Sequence, residues 1–223
     1  MKKAPTKHQF TKYQKLYDYF NETLFDNELP YCLLILSRKA PRVCGHFSTN
    51  RWQDKDGNKT HEINLNPVYM AMTDEMDICQ TLVHEMVHLW QYEFGNPSRA
   101  GYHNKEWANK METVGLTPSN TGEEGGKKTG QQMSDYPAPN GKFLRVFYQM
   151  NKSLLFPFKS SEVVSGILFQ GGSAVATIKP IVPKPKRRNK TKYQCRCGNN
   201  VWGKPNLKIF CAECKYSFIN LKQ

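Results

Sequence analysis

The sequence predicts an α+β fold, and three observations carry that expectation. An amphipathic apolar repeat opens the chain, short apolar runs separated by turn signals follow it, and two further helical stretches then bear histidines at metal-ligand spacing. A cluster of four cysteines near the far end adds a small second module.

The elements can be taken in order. Phe10, Tyr13, Leu16, Tyr17, Phe20 and Leu24 recur every three or four residues and predict a helix from about Thr11 to Phe25, ended by Asp26-Asn27-Glu28. Tyr31 to Leu36 is a short apolar run between Pro30 and Ser37-Arg38-Lys39, which suits a buried strand. Val43 to Phe47 predicts a second strand. Asp54 to Asn58 is a turn signal with Asp56-Gly57 at its corner, and His61 to Asn66 is the return strand, with Ile63 and Leu65 on one face and Pro67 as its stop. This return strand is either an interior strand or one that borders a cleft and pairs with an extended peptide.

Asp74 to about Phe94 contains neither Gly nor Pro, and its apolar residues recur at helical spacing. Within it stands His84-Glu85-Met86-Val87-His88. On a 3.6-residue period the two histidines lie one turn apart on one face, so both rings can reach one ion. Glu85 falls in the neighbouring sector, where it can accept a proton from an activated water without ligating the metal. A catalytic zinc needs a third protein ligand and one open position. His103 follows His88 after fourteen intervening residues, at the first turn of a helix expected from Asn104 to about Val114 with Trp107 and Met111 facing inward. Glu106 and Glu112 are the competing third ligands.

Composition sets bounds. The chain has 223 residues, 39% hydrophobic and 23% charged, enough for one substantial core and a small module, and no apolar run is long enough for a membrane span. Lys2 and Lys3 are followed by no apolar segment, so no secretory signal is expected; seven cysteines, four of them in a metal-like arrangement, fit a reducing compartment. A cytoplasmic protein is expected, with nucleoid or nuclear association where the tail engages nucleic acid. The formal net charge of +13 is unevenly placed: residues 1–116 hold 14 cations and 14 anions, and residues 117–223 hold 18 against 5. A neutral core joined to a cationic arm is what a division between chemistry and polyanion binding requires.

From Thr117 to Gln132 the chain is polar and glycine-rich and reads as a linker or exposed loop. Aromatic and aliphatic residues return over 141–158. Val163 to Phe169 and Ala174 to Ile178 read as strands of a small β-rich insertion. Lys179 to Lys192 then holds seven cations, three prolines and no anion. Prolines keep such a strap extended, so Lys184, Lys186, Arg187, Arg188, Lys190 and Lys192 would be displayed to a phosphate backbone. Cys195-Arg196-Cys197 and, thirteen residues on, Cys211-Ala212-Glu213-Cys214 form two facing knuckles, the pattern of a structural zinc ribbon. Tyr193, Trp202, Phe210, Tyr216 and Phe218 supply its miniature core or stack on unpaired bases.

These residues together resemble the SprT-like (Spartan-like) zinc metalloprotease family. The likeness rests on the first amphipathic helix, Gly45-His46-Phe47, Ile63-Asn64-Leu65-Asn66, the HExxH stretch, His103 with Trp107, and the four terminal cysteines. The resemblance implies a zincin-like core over 10–116 and a four-cysteine zinc ribbon over 192–219, joined by 117–191. It also implies two zinc ions, one catalytic on His84, His88 and His103 and one structural on Cys195, Cys197, Cys211 and Cys214, with Glu85 as base. The expected activity is endopeptidase cleavage of proteins bound or crosslinked to DNA, single-stranded DNA included, with no membrane partner. The alternatives are a non-catalytic zinc-containing nucleic-acid-binding protein and a metallopeptidase independent of DNA. His46, His61, Tyr92 and Tyr102 are the candidates for stabilising a developing oxyanion.

Overall fold

A computed structural model describes residues 4–38, 43–161, 191–204 and 207–220. They form two compact units, one over 4–161 and one over 191–220, and the chain is mixed α+β.

In the first unit, α1 (Pro5–Phe25) begins six residues before the expected start, because proline at the first turn fits helical geometry and needs no N–H partner there. It buries Tyr13, Leu16, Tyr17, Phe20 and Leu24. Asn21 holds the turn after it, donating from Nδ2 to the Leu29 carbonyl at 3.0 Å and accepting from the Leu29 amide at 3.1 Å. The sheet combines β1 (Leu33–Leu36), β2 (Gly45–Gln53) and β3 (Lys59–Leu65) in the order β1-β3-β2. β1 runs parallel to β3 and β2 antiparallel to it, with Phe47 opposite Ile63 and a bulge between Ser48 and Trp52. The return strand is therefore interior, paired on both sides, and cannot take up a peptide. β1 and β2 are the two edge strands of this sheet.

Pro67 ends β3 and also opens a short helix, α2 (Pro67–Met72), with the Asn66 side chain accepting from the Val68 amide at 3.0 Å. α3 (Glu75–Phe94) is capped by Asp74, whose carboxylate accepts from the Asp77 amide at 2.9 Å, and Glu75 and Asp77 complement the positive end of its dipole. Ile78, Cys79, Leu82, Val83, Met86, Val87 and Leu89 are buried on it, so α3 is enclosed on more than one side. α4 (Lys105–Val114) is capped by Asn104 and ends at Gly115, which has φ +91°.

Of the stretch 117–132, expected to be a linker or exposed loop, residues 117–119 belong to a strand and 120–132 form a largely exposed loop between two strands of the first unit. Leu116 and Met133 are buried, and β4 (Leu116–Ser119) pairs antiparallel with β5 (Ser134–Pro137), Pro118 opposite Asp135. The intervening loop is closed by polar contacts: the Asn120 amide donates to the Lys127 carbonyl at 2.9 Å, and the Asn120 side chain accepts from the Lys127 amide at 2.7 Å. The aromatic stretch after it forms a helix, α5 (Lys142–Gln149), that buries Phe143, Val146 and Phe147. The two strands expected at 163–169 and 174–178 lie outside the described residues. A last strap packs Leu154, Leu155 and Phe156 on the core, and Gln9 pairs its side-chain amide with both backbone groups of Phe158 at 3.0 and 3.1 Å.

In the second unit, β6 (Thr191–Gln194) lies between β7 (Asn200–Gly203) and β8 (Ile219–Asn220). Tyr193 is its buried ring, with the hydroxyl donating to the Lys204 carbonyl at 2.7 Å and accepting from the Leu207 amide at 3.0 Å.

Two glycines separate backbone strain from crowding. Gly115 and Gly125 both have positive φ, but a Cβ on Gly115 would lie 2.5 Å from the Lys142 amide nitrogen, whereas one on Gly125 meets nothing within 4 Å. Gly125→Ala should cost roughly 1 kcal/mol from left-handed strain alone, and Gly115→Ala about 3 kcal/mol or more from strain and overpacking together. Urea unfolding midpoints of the two variants measure the difference; equal losses would contradict the close approach of α5.

Candidate metal centre and proton acceptor

α3 presents His84 and His88 on one face, one turn apart, and the chain entering α4 brings His103 to the same point. One nitrogen from each ring lies within 4.8 Å of the others. The Nε2 atoms of His88 and His103 are 3.0 Å apart. Trp107, fully buried one turn into α4, underlies all three rings, with centroid separations of 4.9 Å to His84, 5.3 Å to His88 and 4.4 Å to His103. Two of the nitrogens facing away from the group are engaged elsewhere. His84 Nδ1 lies 2.8 Å from Asp135 Oδ2, and His103 Nδ1 lies 3.3 Å from the Gly130 carbonyl oxygen.

Electrostatics suits a cation. Burial, followed by the neighbouring imidazoles, holds the His88 pKa well below its usual value. Burial and the charge of His84 lower His103 to about 3. Both rings are therefore neutral at physiological pH, the state in which imidazole donates a lone pair. Burial is also the largest influence on His84 and disfavours its charge, but the hydrogen bond and negative charge of Asp135, with Glu85, outweigh it and leave its pKa raised. Three imidazole donors, two of them with polar partners on their far nitrogens, fit zinc.

Glu85 lies beside this group and under β2. Burial raises its pKa to about 7 against the opposing charge of His84 and a hydrogen bond from the Phe47 amide. Gly45 leaves room for it, since a Cβ there would stand 3.1 Å from Glu85 Oε1 and 2.8 Å from Thr81 Cγ2. A carboxyl group tuned toward neutrality can exchange protons in either direction.

Residues 13–124 match the model of the SprT-like family. The chain belongs to the SprT-like family. An uncharacterized protein encoded in the mucB 3′ region of Salmonella typhimurium is 41% identical to it over 56 residues, which are 25% of this chain and 74% of that protein. The matched stretch of this SprT-like chain contains all four residues of the histidine–glutamate group and ends before Asp135 and the cysteines.

The other residues singled out in the SprT-like chain fall into distinct places. Glu106 accepts from the Asn96 amide at 2.7 Å and from Gln91 Nε2 at 2.8 Å, tying the end of α3 to α4, and Glu112 pairs with Lys128 at the surface. Neither belongs to the histidine group. His46 lies 3.2 Å from Glu62, and His61 bridges Glu93 at 2.8 Å and the Asn50 amide at 2.9 Å. Tyr92 accepts from the Asn50 side chain, and Tyr102 stacks under Arg99. Asp135 and the Gly130 carbonyl were missed in sequence: a lone aspartate and a backbone oxygen in a polar stretch carry no periodic or motif signal.

In the second unit Cys195, Cys197, Cys211 and Cys214 offer Sγ atoms within 4.8 Å of one another. Hydrogen bonds from the Cys214 and Glu213 amides help lower Cys211 to about 6, and a hydrogen bond with Cys195 is the main influence raising Cys197 to about 12. Backbone amides aimed at a sulfur stabilise thiolate, as a tetrahedral zinc site needs. Lys192 lies in β6 with its ammonium 5.8 Å from the Trp202 ring. Lys184, Lys186, Arg187, Arg188 and Lys190 lie outside the described residues.

The grouping separates the candidate third ligands. His103→Ala should lower the zinc content of the purified chain by the ion held at the histidine site, whereas Glu106→Ala should retain it. Atomic-emission metal analysis of both variants reads the difference, and loss of that zinc in Glu106→Ala alone would reverse the assignment.

Proposed function

We propose that this SprT-like protein is a zinc-dependent endopeptidase that acts on proteins bound or crosslinked to DNA. The convergence of three imidazole nitrogens beside a buried carboxyl group of raised pKa carries the reading. His84, His88 and His103 would hold the ion, and the four cysteines a second, structural one. Zinc bound at the histidines supplies Lewis-acid activation of water and of the scissile carbonyl.

The remaining work falls to the chain. Glu85 accepts the proton of the attacking water on its carboxylate and returns it to the leaving amine, and its buried position beside the histidines suits both transfers. The Phe47 amide orients that carboxylate. β2, an edge strand beside Glu85, offers main-chain groups with which an extended peptide would pair. Trp107 supports the histidine rings through direct ring contacts.

The nucleic-acid part of the reading is supported by the tail. The whole net positive charge lies in residues 117–223. In the second unit Trp202, Phe210 and Tyr216 are 62%, 64% and 52% exposed, Lys192 lies by Trp202, and Arg196 stands 5.0 Å from the Tyr216 ring. Exposed rings beside cations suit unpaired bases and a phosphate backbone. Among the described residues no helix is long and apolar enough to cross a membrane.

Two measurements test the proposal. Glu85→Gln should keep the fold and both zinc ions yet lower cleavage of a DNA-bound protein by at least about 100-fold, read as fragments with and without single-stranded or duplex DNA. Unchanged turnover in the variant would remove Glu85 from the mechanism, and cleavage indifferent to DNA would remove the nucleic-acid part. Trp202→Ala should weaken binding to a single-stranded oligonucleotide by about 5- to 150-fold, the equivalent of ~1–3 kcal/mol of stacking. Its salt dependence should stay the same because no charge is lost. Fluorescence anisotropy at two salt concentrations checks both statements.

A further inference from the structure

The β4–β5 hairpin touches the histidine group at two points, and both contacts fall on the nitrogen facing away from the other rings. Asp135 on β5 meets His84 Nδ1 at 2.8 Å. The Gly130 carbonyl meets His103 Nδ1 at 3.3 Å, while His103 and Gly130 also exchange backbone hydrogen bonds at 2.8 and 3.1 Å. A carboxylate or a carbonyl can only accept, so each Nδ1 carries a proton, and in the neutral ring that leaves the lone pair on Nε2.

Asp135 is held independently of that contact. It is 2% exposed, it sits opposite Pro118 in the hairpin, and its backbone carbonyl accepts from Gln80 Nε2 at 2.8 Å, one turn before His84 on α3. Its other carboxylate oxygen, Oδ1, is buried with no hydrogen-bond partner among the described residues. A buried carboxylate with a single donor is strongly disfavoured unless positive charge lies across that bond. A metal ion on the far nitrogen of the ring would supply it.

We infer that Asp135 is a positioning residue that fixes the tautomer and orientation of His84, and that the β4–β5 hairpin thereby orients two of the three metal-binding rings. The inference rests on the histidine group being a zinc site, as proposed above. It assigns a role at the centre to a residue beyond the matched family segment, in a hairpin whose connecting stretch reads as linker or exposed loop by composition.

The test uses the full chain and zinc alone. Competition against a chromophoric chelator should show zinc affinity at the histidine site reduced about 10- to 100-fold in Asp135→Ala, with a smaller loss in Asp135→Asn, which keeps an accepting oxygen but no charge. Affinity at the cysteine site should be unchanged in both. Cobalt substituted at the histidine site should show altered visible absorption in both variants, and the metal-free Asp135→Asn protein should keep the cooperative thermal transition of a folded chain. Equal zinc affinity in the unaltered chain and both variants, with His88→Ala losing the ion, would overturn this inference and leave the zinc site standing. Failure of the unaltered chain to bind zinc at the histidines would overturn both.

Discussion

The structure depends on α3 being buried while carrying polar side chains that water cannot satisfy. Apolar residues from Ile78 to Leu89 enclose the helix, yet His84, Glu85 and His88 stand among them. Each therefore draws a partner from another element, since an unpaired buried polar group is destabilising by a few kcal/mol. Asp135 on β5 meets His84, the Phe47 amide on β2 meets Glu85, and the ring of His103 before α4 brings its Nε2 to within 3.0 Å of His88 Nε2, where the two could share one ion. The contacts that satisfy His84 and Glu85 are the same ones that border the candidate site.

That constraint explains where small residues stand. Gly45 lets β2 approach Glu85 and Thr81, where a methyl group would collide. β2 lies against α3 as well as β3, and its Phe47 amide is hydrogen-bonded to Glu85, so one strand supplies both a wall of the candidate site and a contact to its buried carboxyl group. The second unit solves a different problem, because about thirty residues cannot enclose a core of their own. Its buried residues are few, chiefly Tyr193, Cys195 and Cys211, and four converging sulfurs replace apolar packing as the organising contact. With so little interior, large rings such as Trp202 and Phe210 remain at the surface.

Legibility in the sequence followed the range of the interaction that shapes each element. α3 and α4 were readable almost to the residue, since Asp74 and Asn104 are local caps and the apolar spacing is helical. The hairpin of β2 and β3 was readable from Asp56-Gly57, but which strand forms the edge was not, because that depends on β1 pairing with β3 across the sheet. α2 was hidden by reading Pro67 only as a stop. The polar residues Thr117 to Gln132 read as linker or exposed loop, and most of 120–132 is exposed; that the loop is closed at Ser119 and Asn120 was not legible, because those hydrogen bonds leave no mark in hydropathy.

The sequence by itself determined the identity of the donor atoms: two histidines one helical turn apart with a glutamate between them, a third histidine at the next helix, and four cysteines in two short knuckles. Such spacings are local, and the 3.6-residue period converts them directly into geometry. Only the tertiary structure decided how those donors are held. The contact of His84 with Asp135 spans 51 residues, and that of His103 with Gly130 spans 27. Each depends on where a polar hairpin docks, and no periodicity encodes a single long-range hydrogen bond. The metal-ligand pattern is thus written along the chain, while the orientation of its rings arises from packing α3 beneath β2 and beside the β4–β5 hairpin.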